Sequence, residues 1–153
     1  MIRVGLIGLG AMGFNMANNL LKADFKLTAY DIRIEAVDKA VRMGAAKANS
    51  PKEVGSNSDI VLLMVQNFTQ CESCMLGRDG LLEGLESGIV VVTSTISPDE
   101  AKKIAAHCDK KGIKVLDCPV SGGTKGAADG SLTLMVAGQE DVYQECLPIL
   151  KNL

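Results

Sequence analysis

Tryptophan is absent from this 153-residue sequence, and aromatic residues make up only 3% of it. With so few rings there is no platform on which single-stranded bases could stack. A cationic excess is missing too: 16 Lys and Arg face 18 Asp and Glu, for a net charge of −2. No basic stripe is available to neutralise a phosphate backbone, so nucleic acid is not an expected partner. Long hydrophobic runs are also lacking. The longest, Ile60 to Val65, falls far short of the ~20 residues a membrane helix needs. The opening MIRVGLIG enters a strand pattern with no charged region or cleavage site before it, so no signal peptide is expected. Five cysteines, an odd and scattered set, do not make a disulfide framework; a reducing cytoplasm suits them better.

What is present is a core. Apolar residues form 47% of the chain and charged residues 22%, a balance typical of one folded domain. Short β-branched runs alternate with amphipathic stretches, the pattern of an α/β domain with a parallel sheet. Strands are expected at Arg3–Ile7, Lys26–Tyr30, Ala45–Lys47, Asp59–Val65, Ile89–Thr93 and Lys114–Leu116, and again at Ser131–Ala137. Most are continuously apolar, as strands covered on both faces should be. Gly13, Met16, Ala17 and Leu20 recur at helical spacing. Ser97-Pro98-Asp99-Glu100 and Ser50-Pro51-Lys52-Glu53 both read as capping boxes with proline in the first turn. The expected fold is therefore a Rossmann-type, doubly wound, mainly parallel sheet.

The first chemically informative motif is Gly8-Leu9-Gly10-Ala11-Met12-Gly13. It follows a strand and opens a helix, the context in which G-x-G-x-x-G carries meaning. Gly8 permits the tight turn, Gly10 lets backbone approach a pyrophosphate, and Gly13 allows the helix to pack closely. The helix N-terminus would then offer free N–H groups and a positive dipole end to the phosphates. Asp31 ends the second strand, close to the ~20-residue spacing at which an acid meets the adenosine ribose. A carboxylate there accepts from a free 2′-hydroxyl and repels a 2′-phosphate. NAD is therefore expected ahead of NADP, although Arg33 stands nearby and could pull the other way. On the turn alone, an adenosyl-methionine methyltransferase stays an open alternative.

Loops after parallel strands all emerge at the carboxyl edge. Met64-Val65, Ser94-Thr95 and the long stretch Asp117 to Ala127 should meet a dinucleotide there. Within the last, Ser121 offers a hydroxyl, and Gly122-Gly123 can expose successive N–H groups as an anion nest. Other residues carry less. Cys71 and Cys74 have half-site spacing, but no second pair completes a zinc tetrahedron, so no metal is expected and a thiol pair on a surface helix is the reading. His107, the only histidine, sits off its helix's apolar stripe and reads as solvated. Lys125, among glycines, reads as a solvated loop lysine.

Taken together these residues resemble the β-hydroxyacid dehydrogenase family. The run from Gly8 to Gly13, with Met16-Ala17 and Asn19-Leu20, is similar to that family's N-terminal signature. Asp117 through Gly123, with Gly126-Ala127 and Gly130-Ser131-Leu132-Thr133, is similar to its substrate motif. Cys118 in place of a common alanine and Ala137 in place of a frequent glycine are small departures. The resemblance implies that Gly8, Leu9, Gly10, Met12 and Gly13 hold the pyrophosphate and that Asp31 holds the ribose. It implies Met64 and Val65 along the cofactor cleft and Thr95 near the nicotinamide ribose. Ser121, Gly122 and Gly123 would bind the carboxylate of a small 3-hydroxy acid. The family's acid–base group is a lysine on the helix that follows the Rossmann domain, so no catalytic residue is expected within residues 1–153, and the all-helical domain would lie outside them. Full-length members suggest a homo-oligomer. A stand-alone dinucleotide-binding module without turnover is the competing reading.

Overall fold

The computed structural model describes all of residues 1–153. The first half runs β1 (Arg3–Ile7), α1 (Ala11–Lys22), β2 (Lys26–Tyr30), α2 (Ile34–Arg42), β3 (Ala46–Lys47), α3 (Pro51–Ser56), β4 (Ile60–Leu63) and α4 (Phe68–Leu76). The second continues with α5 (Leu81–Gly84), β5 (Ile89–Val92), α6 (Pro98–Asp109), β6 (Lys114–Asp117), β7 (Val120–Ser121), α7 (Gly123–Asp129), β8 (Thr133–Leu134) and α8 (Glu140–Leu150). Six strands form one sheet in the order β3-β2-β1-β4-β5-β6, every pair parallel. The chain reverses its winding between β1 and β4, and that switch point opens a crevice at the carboxyl edge.

Strand alternation explains why the apolar runs are unbroken. Ile60, Leu62, Ile89 and Val91 face one layer with Met16 and Leu20 of α1 and Cys146 and Ile149 of α8. Val61, Leu63, Val90 and Val92 face the other, with Met75 of α4 and Ile104 of α6. The central strands β4 and β5 are thus buried on both sides by helices.

Three expectations change. The run Ser131–Ala137 does not join the large sheet; only Thr133–Leu134 is strand, antiparallel to Val120–Ser121. Pro119 accepts from the Met135 N–H at 3.0 Å but has no N–H to return, so the ladder breaks there. It resumes only as a bridge between Asp117 and Ala137. The stretch read as a loop through Ala127 is instead helical from Gly123. Asn19 Nδ2 of α1 donates to the Ala127 carbonyl at 2.7 Å, and this tertiary bond overrides the weak helix propensity of glycine. At Ser50 the capping box is half formed: its hydroxyl accepts from the Glu53 N–H. The Glu53 carboxylate reaches one residue further back, to the Asn49 N–H at 2.7 Å. Ser97 forms the full box with Glu100.

Candidate functional site

The glycine-rich turn is shaped by what each glycine leaves out. Gly8 has φ 100°, a conformation costly for any residue with a Cβ. A Cβ on it would lie 2.0 Å from the Met64 carbonyl oxygen, so β1 and the end of β4 touch through this gap. A Cβ on Gly13 would lie 2.0 Å from the Gly8 carbonyl oxygen; the helix packs onto the turn itself. Gly10 differs, because a Cβ there would meet nothing within 4 Å. The space is open, and it sits at the N-cap of α1, which carries no side-chain cap. The gap leaves the N–H groups of the first turn, which have no partner within the helix, open to an approaching anion.

Asp31 closes the turn from the side. Its side chain is only 8% exposed, and Oδ2 accepts from the Leu9 N–H at 2.7 Å. Oδ1 accepts from the Arg33 backbone N–H at 2.9 Å and from Arg33 Nε at 3.0 Å. Burial pushes its pKa up, but the hydrogen bonds from Arg33 and Leu9 and the Arg33 charge outweigh that and hold it below the usual carboxylate value. The sign follows: its contribution to stability is complete above the unfolded pKa, near ~4, and is lost as pH falls through the lower folded value.

Two cavities flank this turn. The larger, about 610 Å³, is lined by Gly8, Gly10, Asp31, Met64, Val65 and Cys74, among others. The smaller, about 440 Å³, is lined by Leu9, Gly10, Asn15, Arg33, Lys39 and Thr124, among others. Six of the residues picked out in the sequence therefore converge: Gly8, Leu9, Gly10, Asp31, Met64 and Val65. Gly13 is buried behind the turn and Met12 is half-buried in the first turn of α1. Thr95 is exposed after β5, and Ser121, Gly122 and Gly123 are exposed beyond β6. These four line neither cavity; Thr124, next after Gly123 in α7, lines the smaller one. Gly122 and Gly123 carry φ of 137° and 64°, backbone that favours glycine.

The sequence placed Thr93 at a strand end and Ser94 in a loop facing the dinucleotide, but both are fully buried, a supporting role that sequence reasoning missed. The Thr93 hydroxyl donates to the Leu63 carbonyl at 3.0 Å, and Ser94 Oγ accepts from the Val65 N–H at 2.9 Å. Together they pin the Met64-Val65 segment that walls the larger cavity. Two polar residues ending an otherwise apolar strand were the available signal. Asp117, at the end of β6, keeps one carboxylate oxygen buried without a partner, and burial raises its pKa.

Among the side chains there is no metal-binding cluster. His107 is not free in solvent but half-buried, in a crevice with Phe68, Glu72, Met75, Leu76 and Ile104. Lys125 is paired with Asp129 at 2.5 Å. The thiol pair divides: Cys71 is buried in the core, while Cys74 is half-buried at the larger cavity. Packing one turn apart on an amphipathic helix sends one inward, which the surface-helix reading missed. Burial pushes the Cys74 thiol up to about 11, leaving about 0.1% thiolate at pH 8. A water-soluble disulfide reagent should therefore modify one thiol per native chain, slowly, and all five after unfolding. Mass spectrometry would locate the label; fast labelling at Cys108 or Cys146 would contradict the packing described.

A six-stranded parallel sheet with a glycine-rich turn and an acid at its switch point defines a dinucleotide-binding Rossmann domain. Comparison with known sequences agrees: residues 3–153 match the family described as the NAD binding domain of 6-phosphogluconate dehydrogenase. The chain belongs to this family, as the N-terminal NAD-binding domain of the β-hydroxyacid dehydrogenases. That membership closes the methyltransferase alternative. The NAD-dependent L-serine dehydrogenase of Pseudomonas aeruginosa is 41% identical over 100% of this chain and 52% of its own length. The 3-hydroxyisobutyrate dehydrogenase of Mycobacterium tuberculosis, solved with L-serine, superposes with TM-score 0.90 at 31% identity, over 99% of this chain and 52% of that one. Psf3, solved with NADP+ and 2-OPP, gives TM-score 0.92 at 31% identity, over 97% of this chain and 53% of that one. The chain spans about half the length of the relatives it matches. No helix is long and apolar enough to cross a membrane.

Proposed function

We propose that these residues form the cofactor half of an NAD-dependent dehydrogenase acting on a small 3-hydroxy acid or its semialdehyde. The observation that carries this reading is the junction of Asp31 with the Gly8-Leu9-Gly10 turn, where an acceptor for ribose hydroxyls and an open phosphate approach share one cavity. When bound, NAD supplies the hydride acceptor at nicotinamide C4. The chain's part is orientation. Gly10 and the first N–H groups of α1 would receive the pyrophosphate, and Asp31 the adenosine ribose. Met64 and Val65, fixed by Thr93 and Ser94, would wall the cleft, with Thr95 toward the nicotinamide ribose. Ser121, Gly122 and Gly123 would take the substrate carboxylate through a hydroxyl and backbone N–H groups. The relatives named above support a substrate of the size and chemistry of serine, itself a 3-hydroxy acid. The five free thiols fit a reducing cytoplasm.

NAD is expected to bind more tightly than NADP, since a 2′-phosphate would meet the Asp31 carboxylate with like charge. Calorimetric titration with both cofactors tests this, and Asp31→Asn should narrow the difference by about 1–3 kcal/mol. Tighter NADP binding by the unaltered chain would overturn the assignment.

A further inference from the structure

The two cavities at the glycine-rich turn share three residues, Gly10, Ala11 and Arg33, and Arg33 is the one with a side chain able to move between them. At present it is committed to Asp31. An ionised carboxylate has about four acceptor sites. On Asp31, Oδ1 receives the Arg33 N–H and Nε, while Oδ2 receives the Leu9 N–H and Arg33 Nη2, the last at 3.1 Å. All of the carboxylate's capacity is in use, yet the reading proposed above asks the same oxygens to accept from ribose hydroxyls. The two backbone donors are fixed by the turn and by the start of α2. The two guanidinium bonds are the removable ones: the Arg33 side chain is 58% exposed, against 8% for Asp31.

We propose that Arg33 is a latch and a second determinant of cofactor choice. In the free chain it occupies the acceptor sites that the adenosine ribose needs, and cofactor binding displaces it into the smaller cavity. This inference rests on the assignment of Asp31 to the ribose. The smaller cavity is suited to receive the guanidinium. Glu35 lines it and already acts on Arg33 through its charge, so a displaced guanidinium has an anionic neighbour. Lys39 lines the same cavity. A displaced Arg33 would remain a cation free to meet the extra phosphate of NADP at the ribose 2′-position. Arg33 therefore opposes NAD by competition and favours NADP by attraction. Asp31 alone would make the site more selective than the pair does. Throughout the exchange the Leu9 N–H keeps Asp31 in place, so the turn is not disturbed.

The test is calorimetric titration of NAD+ and NADP+ into the unaltered chain, Arg33→Gln and Arg33→Lys, with thermal melts to confirm that each variant folds. Removing a partly exposed ion pair from competition should tighten NAD binding by Arg33→Gln about two- to fivefold. Loss of a charged phosphate partner should weaken NADP binding by about tenfold or more. Lysine keeps the charge but not the planar fork, so Arg33→Lys should gain NAD affinity while holding NADP within about threefold of the parent. If folded Arg33→Gln binds NAD no tighter than the parent, the latch is refuted. Weaker NAD binding by that variant refutes it too and makes Arg33 a direct cofactor contact. Failure of the underlying assignment looks different: the unaltered chain gives no NAD signal, or Asp31→Asn binds NAD as well as the parent.

Discussion

Gly10→Ala should fold and lose NAD, whereas Gly13→Ala and Gly8→Ala should lose stability. The three positions lie in one motif, but their surroundings separate them. At Gly10 an added methyl meets nothing within 4 Å, and replacing glycine by alanine at a helix N-cap costs about 0.5–1 kcal/mol. The melting temperature should fall by less than about 4 °C. The same methyl would stand in the gap through which a pyrophosphate reaches the first turn of α1, so affinity should drop at least tenfold, or about 1.4 kcal/mol. At Gly13 the methyl would lie 2.0 Å from the Gly8 carbonyl oxygen, and at Gly8 it would lie 2.0 Å from that of Met64. Both obstacles are backbone, which cannot rotate away. Overpacking costs about 1–3 kcal/mol, and Gly8 adds backbone strain of about 1–3 kcal/mol at its positive φ. Melts and NAD titrations of the three variants are the measurement. Normal NAD binding by Gly10→Ala would remove the pyrophosphate from this turn.

The division between these glycines was legible in the motif, because each role follows from strand, turn and helix in a fixed order. The six-stranded sheet was legible for a related reason: strands buried on both faces announce themselves as apolar runs, and β1, β2, β4, β5 and β6 fall where those runs lie. Legibility fades where tertiary contacts decide. Nothing local marks Gly123–Asp129 as a helix; Asn19, far away in sequence, holds its Ala127 carbonyl. Alternation in Ser131–Ala137 is real, since Leu132, Leu134 and Val136 pack on the core, but the strand's partner contains Pro119, which ends the ladder. The acid at Asp31 could be found by spacing. That its acceptor sites are already filled by Arg33 and Leu9 could not, because this depends on a side-chain rotamer and on a turn 22 residues upstream. The buried, pinning role of Thr93 and Ser94 escaped because hydroxyl residues at a strand end read equally well as loop.

Hydride transfer by these 153 residues alone should stay at background, even where NAD binds well. Oxidising an alcohol requires a group to take the hydroxyl proton, and a positioned base contributes about 10²–10⁴-fold. None of the available groups is in place and in the right protonation state. Lys125 is bonded to Asp129, first through the hydrogen bond and then through its charge, and both raise its pKa; at neutral pH it holds its proton. His107 lies in a crevice between α4 and α6. Asp117 has a raised pKa, which would suit a base, but it lines neither cavity at the turn, and one of its oxygens is sealed. The resemblance to the β-hydroxyacid dehydrogenases points to a lysine on a following helix, and we propose that this group comes from outside residues 1–153. That helical half would also exclude water, which strengthens stabilisation of the developing alkoxide. The assay follows NADH formation from L-serine and other small 3-hydroxy acids, comparing this chain with one extended through the next domain. The extended chain should be faster by at least the hundredfold that a base supplies. Robust turnover by the short chain would mean that a residue within it moves the proton. Lys125→Ala and Asp117→Asn would then decide which, since only loss of the true base would abolish the rate while leaving NAD affinity unchanged.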